Sequence, residues 1–97
     1  MNPLQTPLVF IDLETTGANP LIDRITEIGL IEVVNGETRR WSTLVNPQRA
    51  IPAFIQGLTG IDDAMVADAP TFAEVAGELR ARLQGKLFIA HNARFDY

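Results

Sequence analysis

Phe10-Ile11-Asp12-Leu13-Glu14-Thr15-Thr16-Gly17 is an apolar stretch that acquires two carboxylates and then breaks at a Thr-Thr-Gly turn. On a strand, alternate side chains share a face, so Asp12 and Glu14 aim to one side while Ile11 and Leu13 face the other. Two like charges side by side at the end of a buried strand repel each other. The usual remedy is a hard divalent cation such as Mg²⁺, which takes carboxylate oxygens and keeps water or phosphate in its other positions. A bare Asp-x-Glu would read as a solvated acidic turn. The apolar lead-in and the Thr-Thr-Gly exit favour a site.

Outward from this stretch, residues 25–34 read as a second strand. Ile25, Ile28, Leu30, Ile31, Val33 and Val34 make it apolar on both faces, as in a central strand. Asn35-Gly36 is a hairpin signal. It leads to a third strand over residues 37–45, with Trp41, Thr43 and Val45 on one face and an Arg39-Arg40 pair suited to an exposed edge. Residues 46–52 form a loop, residues 53–57 one short helical turn, and Asp62-Asp63 opens another. Pro70-Thr71-x-x-Glu74 is a capping box that starts a helix. Phe72, Val75, Ala76, Leu79 and Leu83 share its apolar face, and Gly85 is its stop. A fourth strand over residues 86–90 runs into His91-Asn92-Ala93-Arg94-Phe95-Asp96-Tyr97. Asn92 as an N-cap places Asp96 about one turn into a new helix. Ligands in α/β sheets gather beyond the carboxyl ends of strands, so Asp12, Glu14 and Asp96 point to one site.

Four segments carry a family resemblance: Asp12-Leu13-Glu14-Thr15-Thr16-Gly17, Gly57-Leu58-Thr59-Gly60-Ile61, Pro70-Thr71-Phe72 and Ala90-His91-Asn92-Ala93-Arg94-Phe95-Asp96. In that order they resemble the DnaQ-like (DEDD-type) 3′→5′ exonucleases, in particular proofreading epsilon subunits of bacterial DNA polymerase III. The likeness spans nearly the whole sequence. It implies an α/β fold with a ribonuclease H-like mixed sheet: a three-strand antiparallel meander, a crossover helix, and a fourth strand parallel to the first. It further implies that Asp12, Glu14 and Asp96 are catalytic and ligate two divalent ions, Mg²⁺ or Mn²⁺, with Asp12 bridging them. Leu13, Thr15, Thr16, Gly17 and Phe95 would meet the terminal nucleotide, with backbone N–H groups of the turn among the contacts. The implied partners are a single-stranded DNA 3′ end and polymerase or other replication and repair subunits.

The family's third motif, His-x-Ala-x-x-Asp, does not occur in the 97 residues. Residues 1–97 are therefore expected to be the N-terminal half of an exonuclease domain, inactive alone and with part of its apolar sheet uncovered. His91 belongs to the second motif and reads as a structural hydrogen-bonding residue, not a general base. Gln56 stands where many epsilon subunits carry a histidine. Glu27 interrupts the apolar second strand. Either it points outward at a strand edge, or it accepts hydrogen bonds from the Thr15-Thr16-Gly17 turn.

Composition narrows the alternatives. A net charge of −4 argues against a broad basic surface for gripping nucleic acid, yet suits an enzyme that meets terminal nucleotides through metals and backbone N–H groups. With no cysteine, neither disulfides nor thiolate metal sites are possible. No run is long enough to span a bilayer, and residues 1–7 lack the pattern of a signal peptide, so no membrane association and a cytoplasmic location are expected. Two other functions compete. One is a catalytically inactive nuclease-like binding module. The other is an aspartyl phosphatase, which would need Asp-x-Asp and which Glu14 fits poorly.

Overall fold

The computed structural model describes residues 7–19, 21 and 23–91, with the backbone alone at Phe88, Ala90 and His91. Strands β1 (Leu8–Thr15), β2 (Ile25–Val34), β3 (Glu37–Leu44) and β4 (Leu87–His91) form one sheet in the order β3-β2-β1-β4. The first three make an antiparallel meander, and β4 lies parallel to β1. Between β3 and β4 come α1 (Ala53–Thr59), α2 (Asp63–Val66) and α3 (Phe72–Leu83).

Local chemistry accounts for each element. Asn35 and Gly36 both have positive φ, 52° and 82°, which is the hairpin geometry whose twist matches that of the flanking strands. A parallel neighbour for β1 requires a crossover, and α3 is its principal element. The capping box is complete. Thr71 Oγ1 accepts from Glu74 N at 3.3 Å while Glu74 Oε1 accepts from Thr71 N at 2.9 Å. Gly85, at φ 75°, follows the last turn in the left-handed conformation.

Alternation then divides the sheet into two faces. Val9, Ile11, Ile28 and Leu30 are buried on one, where Val75 of α3 meets them and Leu13, Trp41, Leu79 and Leu83 pack around the margin. Trp41 is thus a packing residue, and the Arg82 guanidinium lies 4.5 Å from its ring centroid. On the same face, buried Glu32 meets Lys86 at 3.2 Å. A second cluster, Ile51, Ile55, Ile61 and Val66, holds α1 and α2 together. The opposite sheet face carries Phe10, Leu87 and Ile89, exposed by 39%, 60% and 47%. Among the described residues no helix is long and apolar enough to cross a membrane.

The elements match the sequence reading with small shifts. β1 takes in Thr15, the first residue of the Thr-Thr-Gly exit, β4 begins at Leu87 and reaches His91, and β3 stops at Leu44. Val45 nonetheless stays in the core and donates its N–H to Thr26 O at 2.7 Å. Helix α1 runs past Gly57 to Thr59, because the left-handed residue that ends it is Gly60, whose N–H reaches Gln56 O at 2.8 Å. The apolar face of α3 is wider than its contact with the sheet. Val75 is buried, but Phe72 is 45% exposed.

That difference is measurable by urea denaturation. Val75→Ala should cost about 1.5–2 kcal/mol of stability, the value of the apolar groups it withdraws from burial. Phe72→Ala, although it removes a larger side chain, should cost less than about 1 kcal/mol.

Candidate active site

Three carboxylates lie on the less covered face of the sheet. The β1–β2 register sets Asp12 opposite Gly29 and Glu14 opposite Glu27, so Asp12, Glu14 and Glu27 share the face that also bears Phe10 and Ile31. Asp12 is exposed, whereas Glu14 is only 9% exposed. Because Gly29 has no side chain, a shallow depression remains beside Asp12, lined further by Phe10, Ile31, Arg40 and Ser42. On the other flank, parallel β4 brings the backbone of His91 level with Asp12. Both strands thus end on one side of the molecule, where ligands collect in α/β sheets.

The charge on this face is uncomfortable for the protein. Burial first, then Glu14, then Asp12 raise the Glu27 carboxyl above its ordinary 4.5. The donor set is oxygen only, from side chains that repel one another, and it fits a hard cation such as Mg²⁺ or Mn²⁺. Among the described residues, no three His, Asp or Glu side chains converge closely enough to hold a metal by themselves. Asp12 and Glu14 therefore stand as a pair. Asp96 and Phe95, expected to complete the ligand set and the nucleotide contact, lie outside the described residues, as does Asn92.

The turn after β1 is held by a residue that sequence reasoning passed over. Asp23 Oδ1 accepts from Thr16 Oγ1 at 2.8 Å, and Oδ2 accepts from Asn19 N at 2.9 Å. Thr16, fully buried, also accepts from Arg24 N at 3.0 Å and donates its own N–H to Arg24 O at 2.8 Å. Thr15 Oγ1 donates to Gly17 O at 2.6 Å. Arg49 approaches Asp23 from another loop at 4.0 Å. The absence of a Cβ at Gly17 serves this clamp, since one built there would lie 2.5 Å from Asp23 Oδ2. Among the described residues the turn's hydrogen bonds thus go to Asp23, Arg24 and Gly17 and none to Glu27, which faces Glu14 instead. Leu13 packs against the core, on the face opposite Asp12. Gln56 has a structural task, with its Nε2 donating to Ile51 O at 2.9 Å.

Hydrogen bonds from Asn19 N–H first and the Thr16 hydroxyl second, with Arg49 assisting, hold the Asp23 carboxyl below its ordinary 3.8 in spite of partial burial. A carboxylate whose folded pKa is lowered contributes stability above its unfolded pKa. That stability is lost as pH falls through the folded value. Wild-type stability should therefore fall more steeply below pH 3.8 than that of Asp23→Asn, as read by urea titrations across the acid range. Gly17→Ala should cost about 1–3 kcal/mol by forcing Asp23 out of place. In an Asp23→Ala background most of that cost should vanish, a coupling that a double-mutant cycle reads directly.

Residues 9–97 match the exonuclease (RNase T) family profile. The 3′-5′ exonuclease DinG of Bacillus subtilis is 46% identical over 90 residues, which are 91% of this chain and 10% of that protein. The PolC-type DNA polymerase III of Caldanaerobacter subterraneus is 43% identical over 94 residues, 96% of this chain and 7% of the polymerase. The chain thus spans about a tenth or less of these two relatives. Among solved structures, exonuclease X in complex with 5′ overhanging duplex DNA superposes with a TM-score of 0.67 at 35% identity, covering 92% of this chain and 51% of that one. With its ribonuclease H-like meander and parallel fourth strand, and with the profile matched along nearly its whole length, the chain belongs to the exonuclease (RNase T) family.

Proposed function

We propose that this chain contributes the first carboxylates of a 3′→5′ exonuclease site that removes nucleotides from single-stranded DNA ends and depends on Mg²⁺ or Mn²⁺. The observation that carries the reading is the placement of Asp12 and Glu14 on one face, at the carboxyl end of the strand that pairs with both β2 and β4. Membership of the exonuclease family supports it. Asp12 and Glu14 would hold the ions, with Asp96 as the further ligand. The chemistry such ions supply is charge stabilisation at phosphorus and activation of the attacking water.

The remaining roles fall to the turn and its surroundings. Among the described residues, Gly17 N–H makes no hydrogen bond, whereas that of Thr16 is donated to Arg24 O. The contact with the terminal nucleotide that we propose is through Gly17 and the backbone of Leu13 and Thr15, with Phe95 as a further contact. Buried Thr16 supports them from behind. Glu27 acts on the site through its charge, adding to the negative potential that a divalent cation would relieve. A polymerase or another replication or repair subunit is the partner we propose, in the cytoplasm. The family relation to a PolC-type polymerase supports this assignment.

In the full-length protein, Asp12→Ala should abolish Mg²⁺- or Mn²⁺-dependent trimming of a 3′-labelled oligonucleotide while leaving the circular dichroism spectrum and cooperative unfolding unchanged. Mn²⁺ should also raise the melting temperature of the wild type, because a ligand that binds only the folded state stabilises it. In Asp12→Ala that rise should shrink. Trimming that survives either the substitution or EDTA would refute the metal site.

A further inference from the structure

We infer that Asp23 is a positioning residue for the 3′-terminal nucleotide, acting through Thr16 and Asn19 to fix the turn that follows Asp12 and Glu14. The inference rests on the exonuclease reading for its substrate, but its evidence is separate. Asp23 sits in the irregular segment between β1 and β2, outside every motif that carries the family resemblance. Both of its oxygens already accept hydrogen bonds, from Thr16 and Asn19, and Arg49 lies beside it. A carboxylate occupied in this way is poorly placed to serve as a metal ligand. It is instead the point on which three pieces of chain converge: the end of β1, the loop at Asn19 and the loop that carries Arg49.

The clamp lies beside the core and does not set the strand pairing. Its members are polar residues outside the two hydrophobic clusters, and the sheet register is set by the β1–β2 ladder. What the clamp does control is the path of Thr15-Thr16-Gly17. Thr16 is locked on three sides, by Asp23, Arg24 N and Arg24 O. Gly17 is pressed so close to Asp23 that no side chain would fit. The consequence is a Gly17 N–H whose position is set before substrate arrives, which reduces the ordering cost of binding. Loss of Asp23 should therefore weaken nucleotide binding and leave metal binding alone.

The test uses the full-length protein with Mn²⁺ and an oligonucleotide ending in single-stranded thymidines. Asp23→Ala should raise KM about tenfold while changing kcat less than about threefold, the pattern of lost substrate binding. Mn²⁺ affinity, measured by calorimetry, should stay at the wild-type value. Thr16→Val should reproduce the KM effect, Thr16→Ser should restore it, and combining Thr16→Val with Asp23→Ala should add little. Should Asp23→Ala fold poorly, Asp23→Asn keeps the shape, loses one acceptor and should show a smaller rise in KM. An unchanged KM with falling kcat and Mn²⁺ affinity would overturn the inference, as would a loss of activity that only tracks the unfolded fraction in a thermal melt. A wild-type protein without 3′ trimming would refute the exonuclease reading. Calorimetric binding of thymidine 5′-monophosphate to wild type and Asp23→Ala then decides the positioning role, which falls if the two bind alike.

Discussion

The register of β1 between its two neighbours is the constraint on which the rest of the structure depends. Leu8 to Glu14 pairs residue by residue with β2, while Leu8 to Asp12 pairs with β4 on the other side. Because side chains alternate, a slip of one residue would turn Asp12 and Glu14 into the core and put Ile11 and Leu13 outside. The slip is blocked chiefly by burial. Val9, Ile28 and Leu30 are at most 1% exposed, and a slip would set Asp12 and Glu14 among them in place of Ile11 and Leu13. The hydrophobic face thus decides where the acidic face points.

Strand β2 carries two glutamates and treats them in opposite ways. Glu32 lies on the core side and meets Lys86 at 3.2 Å, a partner that offsets part of the desolvation of a buried charge. Glu27 lies on the acidic side, opposite Glu14, and no ion pair with it forms among the described residues. The two positions differ by five residues, an odd number, which in a strand means opposite faces. One face is electrically closed by the protein itself. The other is left with an excess of negative charge that a cation would relieve.

Much of this was legible in the sequence because its signals are local. The Asn35-Gly36 turn, the Thr71 and Glu74 capping box and the alternation through Ile11, Asp12, Leu13 and Glu14 each act over a few residues, and each appears in the structure as read. The end of α1 is less legible: Gly57 and Gly60 both offer a stop, and it is Gly60 that takes the positive φ while Ile55 packs into the second cluster. Two features of the site were illegible for a different reason. That Glu27 faces Glu14 requires the register, and a strand pattern alone leaves the register open. That Asp23 clamps Thr16 requires a loop without periodicity to fold back on its own start. Its only trace in the sequence is a glycine after two threonines, which implies room for a nucleotide and is first of all room for Asp23.

The parallel pairing of β1 with β4 has a kinetic side. The meander joins strands that are neighbours in sequence, whereas Leu8 meets Leu87 only after the whole crossover has been laid down. Contacts between distant residues carry a larger loop-closure cost and form later in folding than local ones. During synthesis, then, the strand with Asp12 and Glu14 can zip onto β2 while its other edge still waits, unpaired, for β4. An open apolar strand edge is a template for a foreign strand. The nascent chain is thus most vulnerable to misassembly along the edge that will later bring the backbone of His91 beside Asp12.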